Sequence, residues 1–419
     1  MGMKEDVRFV NCQLIDGTGR DPIERAWVRV TGDRVTGVGV GGVAAGPDKT
    51  IDCHGQTLMP GLIDAHTHLA SVEFVGQMES MPRPVLAAKA FRILERALTG
   101  GFTTVRDAGF TAAGFRQVVA QGLVRGPRIL VSTAPLSQTG GHSDFRPREE
   151  APVWREDGLF QPGLIVDGID RCRWGAREVL RRGADQVKVM ASGGAASHTD
   201  EITDPQFTVE EMSAIVQEAK ARGRYVMAHA YPAEAIRNCV AAGVRTIEHA
   251  SLADEAAAVA IRDANAYVVP TISIFEYLAQ HGPSHGMTEH QMAKVKRILA
   301  SAYDSLSLMH ELGVRIGSGS DSNGPAHDNR ALELELMARV IGPMAAIVAA
   351  TKTNAEILQM GDQIGTVEQG KLADLIIVDG SPLDRIGILQ DRTKITLVMQ
   401  NGEVRHALEP FVGDAAPSA

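Results

Sequence analysis

No run of apolar residues in this 419-residue chain approaches the roughly 20 that a bilayer-crossing helix requires, so a membrane-embedded role is not expected. Aromatic residues make up only 5% of the sequence, too few for a surface that stacks bases. The formal net charge of −9 gives no electrostatic reason to bind phosphate backbones or anionic lipid, and nucleic acid and membranes drop out as partners. Cysteine is equally scarce. Cys12, Cys53, Cys172 and Cys239 stand far apart with no C-x-x-C pair, which excludes a zinc knuckle or a disulfide framework and reads as the reduced thiols of a cytoplasmic protein. The first residues carry acidic side chains and no long apolar core, so a secretory signal is not expected either.

What the chain does have is 44% hydrophobic residues and 43 glycines, the profile of a turn-rich globular enzyme. Near its start, "VRFVNCQLIDGTG" and the residues after it alternate apolar and polar between Gly and Asp turn signals, the pattern of short antiparallel strands. The same texture returns in "GKLADLIIVDG" and in "ITLVMQNGEVRHA", where Asn401-Gly402 marks a hairpin turn. Neither piece has enough strands for a core of its own, so the two are expected to combine. Between them, short apolar runs alternate with helical segments such as "EEMSAIVQEAKARG", which argues βα units and a parallel sheet. Eight such runs occur: "TLMPGLIDAH", "TTVRDAG", "RILVSTA", "ADQVKVMAS", "YVMAHA", "RTIEHA", "YVVPTIS" and "VRIGSGSD". The expected fold is therefore α/β, a (β/α)8 TIM barrel with a small β-sandwich domain built from both chain ends. Residues 1–57 supply the first part of the sandwich, 58–364 the barrel, and 365–419 the rest of the sandwich and a tail.

Residues able to bind metal gather at the C-terminal ends of these strands, the face on which barrel active sites are built. His66 and His68 follow the first strand and, two positions apart, point to one side, so both imidazoles can serve one ion. His229 and His249 end the fifth and sixth runs, and Asp321 sits in a Gly/Ser turn after the eighth. Singly, each has a bland alternative: a core histidine, or an Asx-turn residue. Lys188 is the odd member, because an ammonium among cations would be repelled. A buried lysine can turn neutral and take up carbon dioxide as a carbamate, while a core ion pair and a Schiff base remain open alternatives.

Taken together, "GLIDAHTHL", "VKVMASGG", "TIEHAS", "GSGSD" and "TKTNAEILQMGDQIGTVEQGKLADLIIVDG" resemble the amidohydrolase superfamily of metal-dependent hydrolases. Within it, the chain is similar to the imidazolonepropionase-related branch that holds Xaa-Pro dipeptidase-like enzymes and ochratoxin-type amide hydrolases. The resemblance implies two divalent ions, zinc first and manganese, cobalt or iron as alternatives. His66, His68 and Asp321 would hold the more buried ion, and His229 and His249 the more exposed one. A carboxylated Lys188 would bridge them together with a hydroxide that attacks an amide carbonyl. Asp321 becomes the general acid/base, and His142 and Tyr231 contact the substrate carbonyl or carboxylate. His198 and Arg146, Arg148 and Arg155 lie on long polar loops where they could meet substrate. The implied substrates are dipeptides, prolidase-like or Xaa-Arg/Lys, and N-acyl or N-aroyl amino acids such as ochratoxin A. Urea or carbamate cleavage and imidazolone-type ring hydrolysis or deamination are the alternatives, with a non-catalytic scaffold as the different class. The resemblance also implies a homo-oligomer.

Overall fold

The computed structural model describes residues 6–41, 49–74, 78, 81–146, 159, 162–409 and 411. Both chain ends contribute to one eight-stranded sheet, with Val7–Leu14, Ile23–Thr31, Arg34–Val40, Lys49–Asp52 and Thr57–Pro60 from the first part and Leu375–Val378, Ile395–Gln400 and Glu403–Ala407 from the last. Alternate side chains of Val7–Leu14 turn inward, and a bulge near Cys12 bends the strand over the core. That core is apolar throughout, with Phe9, Leu14, Val28, Leu58, Ile377 and Met399 at its centre. The expected sandwich takes the form of a single sheet curled over itself: Val35 N–H bonds the Lys371 carbonyl at 2.9 Å, and Arg34 bridges to Leu372 across the fold. Asn401 and Gly402 both adopt positive φ (51° and 74°), as a tight hairpin turn demands.

Thr57–Pro60 runs through Gly61 directly into the first barrel strand, Leu62–Thr67. The other seven are Phe102–Asp107, Arg128–Val131, Val187–Met190, Val226–Pro232, Thr246–Leu252, Tyr267–Val269 and Arg315–Ile316. Each overlaps one of the eight apolar runs, and their pairings are parallel. Asp185 N–H donates to the Val131 carbonyl (2.7 Å), joining the third strand to the fourth. Ala65 N–H to Ser318 O (3.0 Å) and Asp321 N–H to His66 O (2.7 Å) join the eighth to the first and close the barrel.

Local chemistry fixes where the surrounding helices begin. Thr208 and Glu211 form a reciprocal capping box at the start of Val209–Lys220, and Thr288 with Gln291 does the same for Glu289–Glu311. Among the described residues, no helix is long and apolar enough to cross a membrane.

Candidate metal centre

A cavity of about 360 Å³ opens at the C-terminal mouth of the barrel, and the eight residues expected to hold metal or contact the substrate's reacting groups line it: His66, His68, His142, Lys188, His229, Tyr231, His249 and Asp321. Neighbouring imidazole centroids are close, 5.4 Å for His66–His68, 5.2 Å for His66–His249 and 4.6 Å for His229–His249. One donor atom each from His66, His249 and Asp321 lies within 4.8 Å of the others. Asp321 Oδ1 is 3.3 Å from His66 Nε2 and 3.0 Å from His68 Nε2.

The remote ring nitrogens are as informative as the facing ones. His66 Nδ1 meets Glu248 Oε2 at 2.7 Å, His68 Nδ1 the Gly109 carbonyl at 3.2 Å, His229 Nε2 the Gly193 carbonyl at 3.1 Å, and His249 Nδ1 the Thr271 hydroxyl at 2.6 Å. A carboxylate and a carbonyl only accept, so in three of the four rings this nitrogen carries the proton and the other offers its lone pair. That is the arrangement by which proteins orient metal-binding imidazoles. Burial, together with neighbouring cationic groups, drives His229 and His249 well below the ordinary imidazole value, which keeps them neutral and able to ligate.

Burial also lowers Lys188 to about 8, against the opposing pull of Glu248 and Asp321. It forms no salt bridge with any described residue. Burial opposes ionisation of Asp321, and His66 and His68 overcome it, holding the carboxyl well below its usual range. A neutral-leaning lysine, the neutral imidazoles of His229 and His249, and an ionised carboxylate beside His66 and His68 form a donor set that fits divalent cations. The two sets of histidines do not differ in burial as expected, since His229 and His249 are each 3% exposed, against 1% for His66 and 7% for His68.

Behind His66 stands a buried ionic network that the sequence reading did not single out. Arg106 grips both oxygens of Glu248 at 3.0 Å and Thr246 bonds Glu248 Oε1 at 2.6 Å. Burial works against Glu248's charge, but Arg106 and His66 bring its carboxyl down to about 2. Asp64 pairs with buried Arg330 and accepts from His66 N–H (3.1 Å) and Ser320 N–H (3.0 Å), tying the first strand to the eighth. Asn354 of the "TKTNAE" segment bonds the Ile63 and Ser318 carbonyls at 2.6 and 2.7 Å and secures the same seam. An ionisable residue inside an otherwise apolar strand was the available cue for Arg106 and Glu248.

The mouth also stores backbone strain. Phe110, Thr133, His249, Ala250, Thr271 and Asp321 all have φ between 48° and 74°, a conformation costing about 1–3 kcal/mol each away from glycine, and they cluster where strands end. Gly319 is needed nearby, because a Cβ there would lie 2.6 Å from His66 Cβ.

The remaining candidates divide. The His142 ring stacks on His229 (4.5 Å, 22°), and Tyr231 stacks on His249 (5.0 Å, 28°). His198 is exposed at the rim. Arg146 is engaged by Asp144 at 2.6 Å, while Arg148 and Arg155 lie outside the described residues.

Barrel, mouth and donor set together define a metal-dependent hydrolase. The chain belongs to the amidohydrolase family, whose model matches residues 57–405, and acts on amide bonds. It is 31% identical over 418 residues to the ochratoxinase of Aspergillus niger, covering 93% of this chain and 85% of that one. Among solved structures it is similar to a prolidase complexed with N-methylphosphonate-L-proline (38% identity, TM-score 0.92, 96% of this chain and 100% of that one). It is also similar to a Xaa-Pro dipeptidase with methionine bound in the active site (28% identity, TM-score 0.87, 96% and 100%).

Proposed function

We propose that this chain hydrolyses the amide bond of dipeptides or of N-acyl and N-aroyl amino acids with a binuclear metal centre. The observation that carries the reading is the orientation of four imidazoles, each held at one nitrogen by a protein partner and presenting the other to a common space. His66, His68 and Asp321 would hold one divalent ion and His229 and His249 a second, with a carbamate on Lys188 supplying an anionic oxygen between them. Zinc is the leading ion, and the enzyme is read as cytoplasmic and homo-oligomeric. Such ions, when bound, make water nucleophilic near neutral pH and polarise the carbonyl under attack.

The rest of the chemistry belongs to the chain. Asp321 Oδ1 faces His66 Nε2 and His68 Nε2 where they would share an ion, which leaves Oδ2 to take the proton of the attacking water and pass it to the nitrogen as the C–N bond breaks. His142, stacked on His229, and Tyr231, stacked on His249, are the groups for the substrate's oxygen atoms. A cavity of about 360 Å³ lies in the size class that takes a small ligand, and Ile274, Phe275, Leu278 and Met287 give it an apolar wall for a side chain or acyl group. The likeness to a prolidase and to an ochratoxinase supports both branches of this substrate class.

A screen of dipeptides and N-acyl amino acids, varied at the carboxyl-side residue and run with metal-replete enzyme, tests the reading. Release of the free amino acid is expected. Ammonia release from ureas or ring substrates with no amide cleavage would overturn it.

A further inference from the structure

The loop that follows the fourth barrel strand carries more buried polar chemistry than a cavity rim requires. Ser197 and Asp200 are 3% and 7% exposed, and they reach His142 from a different loop. His142 Nδ1 lies 2.9 Å from Ser197 Oγ, and Ser197 Oγ bonds Asp200 Oδ1. The Gly194 carbonyl is a second neighbour of the same hydroxyl at 3.2 Å. Carboxylate and carbonyl both accept only, so Ser197's one proton must go to one of them and its lone pair must receive from the ring. The bonds therefore run from His142 Nδ1–H to Ser197 to Asp200. Nδ1 is the protonated nitrogen, and Nε2, which bonds no described residue, is left for the cavity.

Asp200 is in turn fixed from several sides. Gly194 N–H donates to Oδ1 at 3.2 Å and Gln206 Nε2 to Oδ2 at 2.9 Å, while Gln206 Oε1 accepts the backbone N–H of His142 at 3.1 Å. One glutamine thus holds both ends of the relay. Lys294, 3% exposed on the helix Glu289–Glu311, donates to the carbonyls of Gly194 (3.3 Å), Ser197 (3.2 Å) and Asp200, with the Asp200 carboxylate 3.9 Å away as its counter-charge. A buried ion pair costs desolvation and is weak as a source of stability, so its placement under this one loop points to precise positioning. At Gly194 any side chain is excluded, because a Cβ would lie 2.0 Å from His142 Cε1.

We propose that Ser197 and Asp200 are positioning residues that fix the tautomer and orientation of His142, with Lys294 and Gln206 holding the relay in register. The inference rests on the reading of His142 as a substrate-contacting group. Two measurements separate the fates of the two ideas. In the first, Ser197→Ala, His142→Ala and the double variant are compared on the dipeptides and N-acyl amino acids that the wild type cleaves, with bound metal measured in each. Ser197→Ala should lower kcat about 10-fold or more with metal content intact, and add nothing in the His142→Ala background. An equal loss in that background would reduce Ser197 to a structural role and overturn the proposal. In the second, nitrogen NMR of labelled imidazoles, with His142 assigned by its absence in His142→Ala, should show a protonated Nδ1 in the wild type. An unprotonated Nδ1 overturns the relay. Normal turnover in His142→Ala would instead remove the substrate-contact reading, and the NMR result would still decide whether the relay exists.

Discussion

His66 leans on Glu248, an ionised carboxylate gripped by Arg106, and its strand is anchored by the Asp64–Arg330 pair. On the other side of the same mouth, His229 leans on a backbone carbonyl and His249 on a threonine hydroxyl. Burial is alike on the two sides, and His68 leans on the neutral Gly109 carbonyl as His229 does on that of Gly193, so the contrast lies in the single charged partner behind His66. A charged acceptor binds an imidazole N–H about twice as strongly as a neutral one and raises the basicity of the nitrogen facing the metal. In the proposed two-ion centre, the half that holds His66 would then be the tighter site and the other the more adjustable one.

The sharpest way to break that picture is at the residue the two halves would share. Lys188→Ala should lower bound metal and amide hydrolysis together, by about 10³-fold in turnover, more than the 10–100-fold typical of losing a supporting residue. Metal analysis beside turnover checks it, and retention of both would end the bridging role. Next in size is Glu248→Gln, which should weaken metal affinity by about 10–100-fold and destabilise the fold, because buried Arg106 loses its counter-charge. Its counterpart Thr271→Val should cost less than about 10-fold. Competitive metal titration compares the two, and equal losses would erase the asymmetry. Dialysis against a chelator adds a kinetic view: metal should leave in two steps of equal stoichiometry, and Thr271→Val should hasten only the faster one.

The smallest effect concerns Glu333, whose oxygens accept from Ile272 N–H (3.0 Å) and Ser273 N–H (2.7 Å) and so place the turn that carries Thr271. Burial raises its carboxyl to about 7, against an ordinary value of 4.5. The folded state then holds the proton more tightly than the unfolded one. The stability this contributes is complete below about pH 4.5 and is lost as pH rises through about 7. Urea midpoints of metal-free protein across that range should fall less steeply for Glu333→Gln than for the wild type. Parallel slopes would show that Glu333 does not titrate there.

Much of this was legible in the sequence because barrel strands announce themselves as short apolar runs, and because His66, His68, Lys188, His229, His249 and Asp321 each end one. What stayed hidden was partnership. Glu248 stands beside His249 in "TIEHAS", yet it serves His66, 182 residues away, a pairing that exists only once the barrel closes. Alternation explains the split: in one strand Glu248 and His249 point to different sides, one toward Arg106 and the other toward Thr271. Ser197 and Asp200 flank His198 on one of the long polar loops, where glycines and polar residues in sequence give no sign of burial. Burial by Lys294, from a helix nearly a hundred residues later, reverses that character.

The curled terminal sheet has a consequence for how the molecule is made. Thr57–Pro60 pairs with Val7–Leu14 on one side and with Leu375–Val378 on the other. During synthesis, its second edge therefore stays bare until more than 300 further residues have left the ribosome, a closure of very high contact order. An open strand edge is a template for the wrong neighbour. The nascent chain is thus most exposed to aggregation while the barrel is being completed, and co-expressed holdase chaperones should raise yield by guarding that edge.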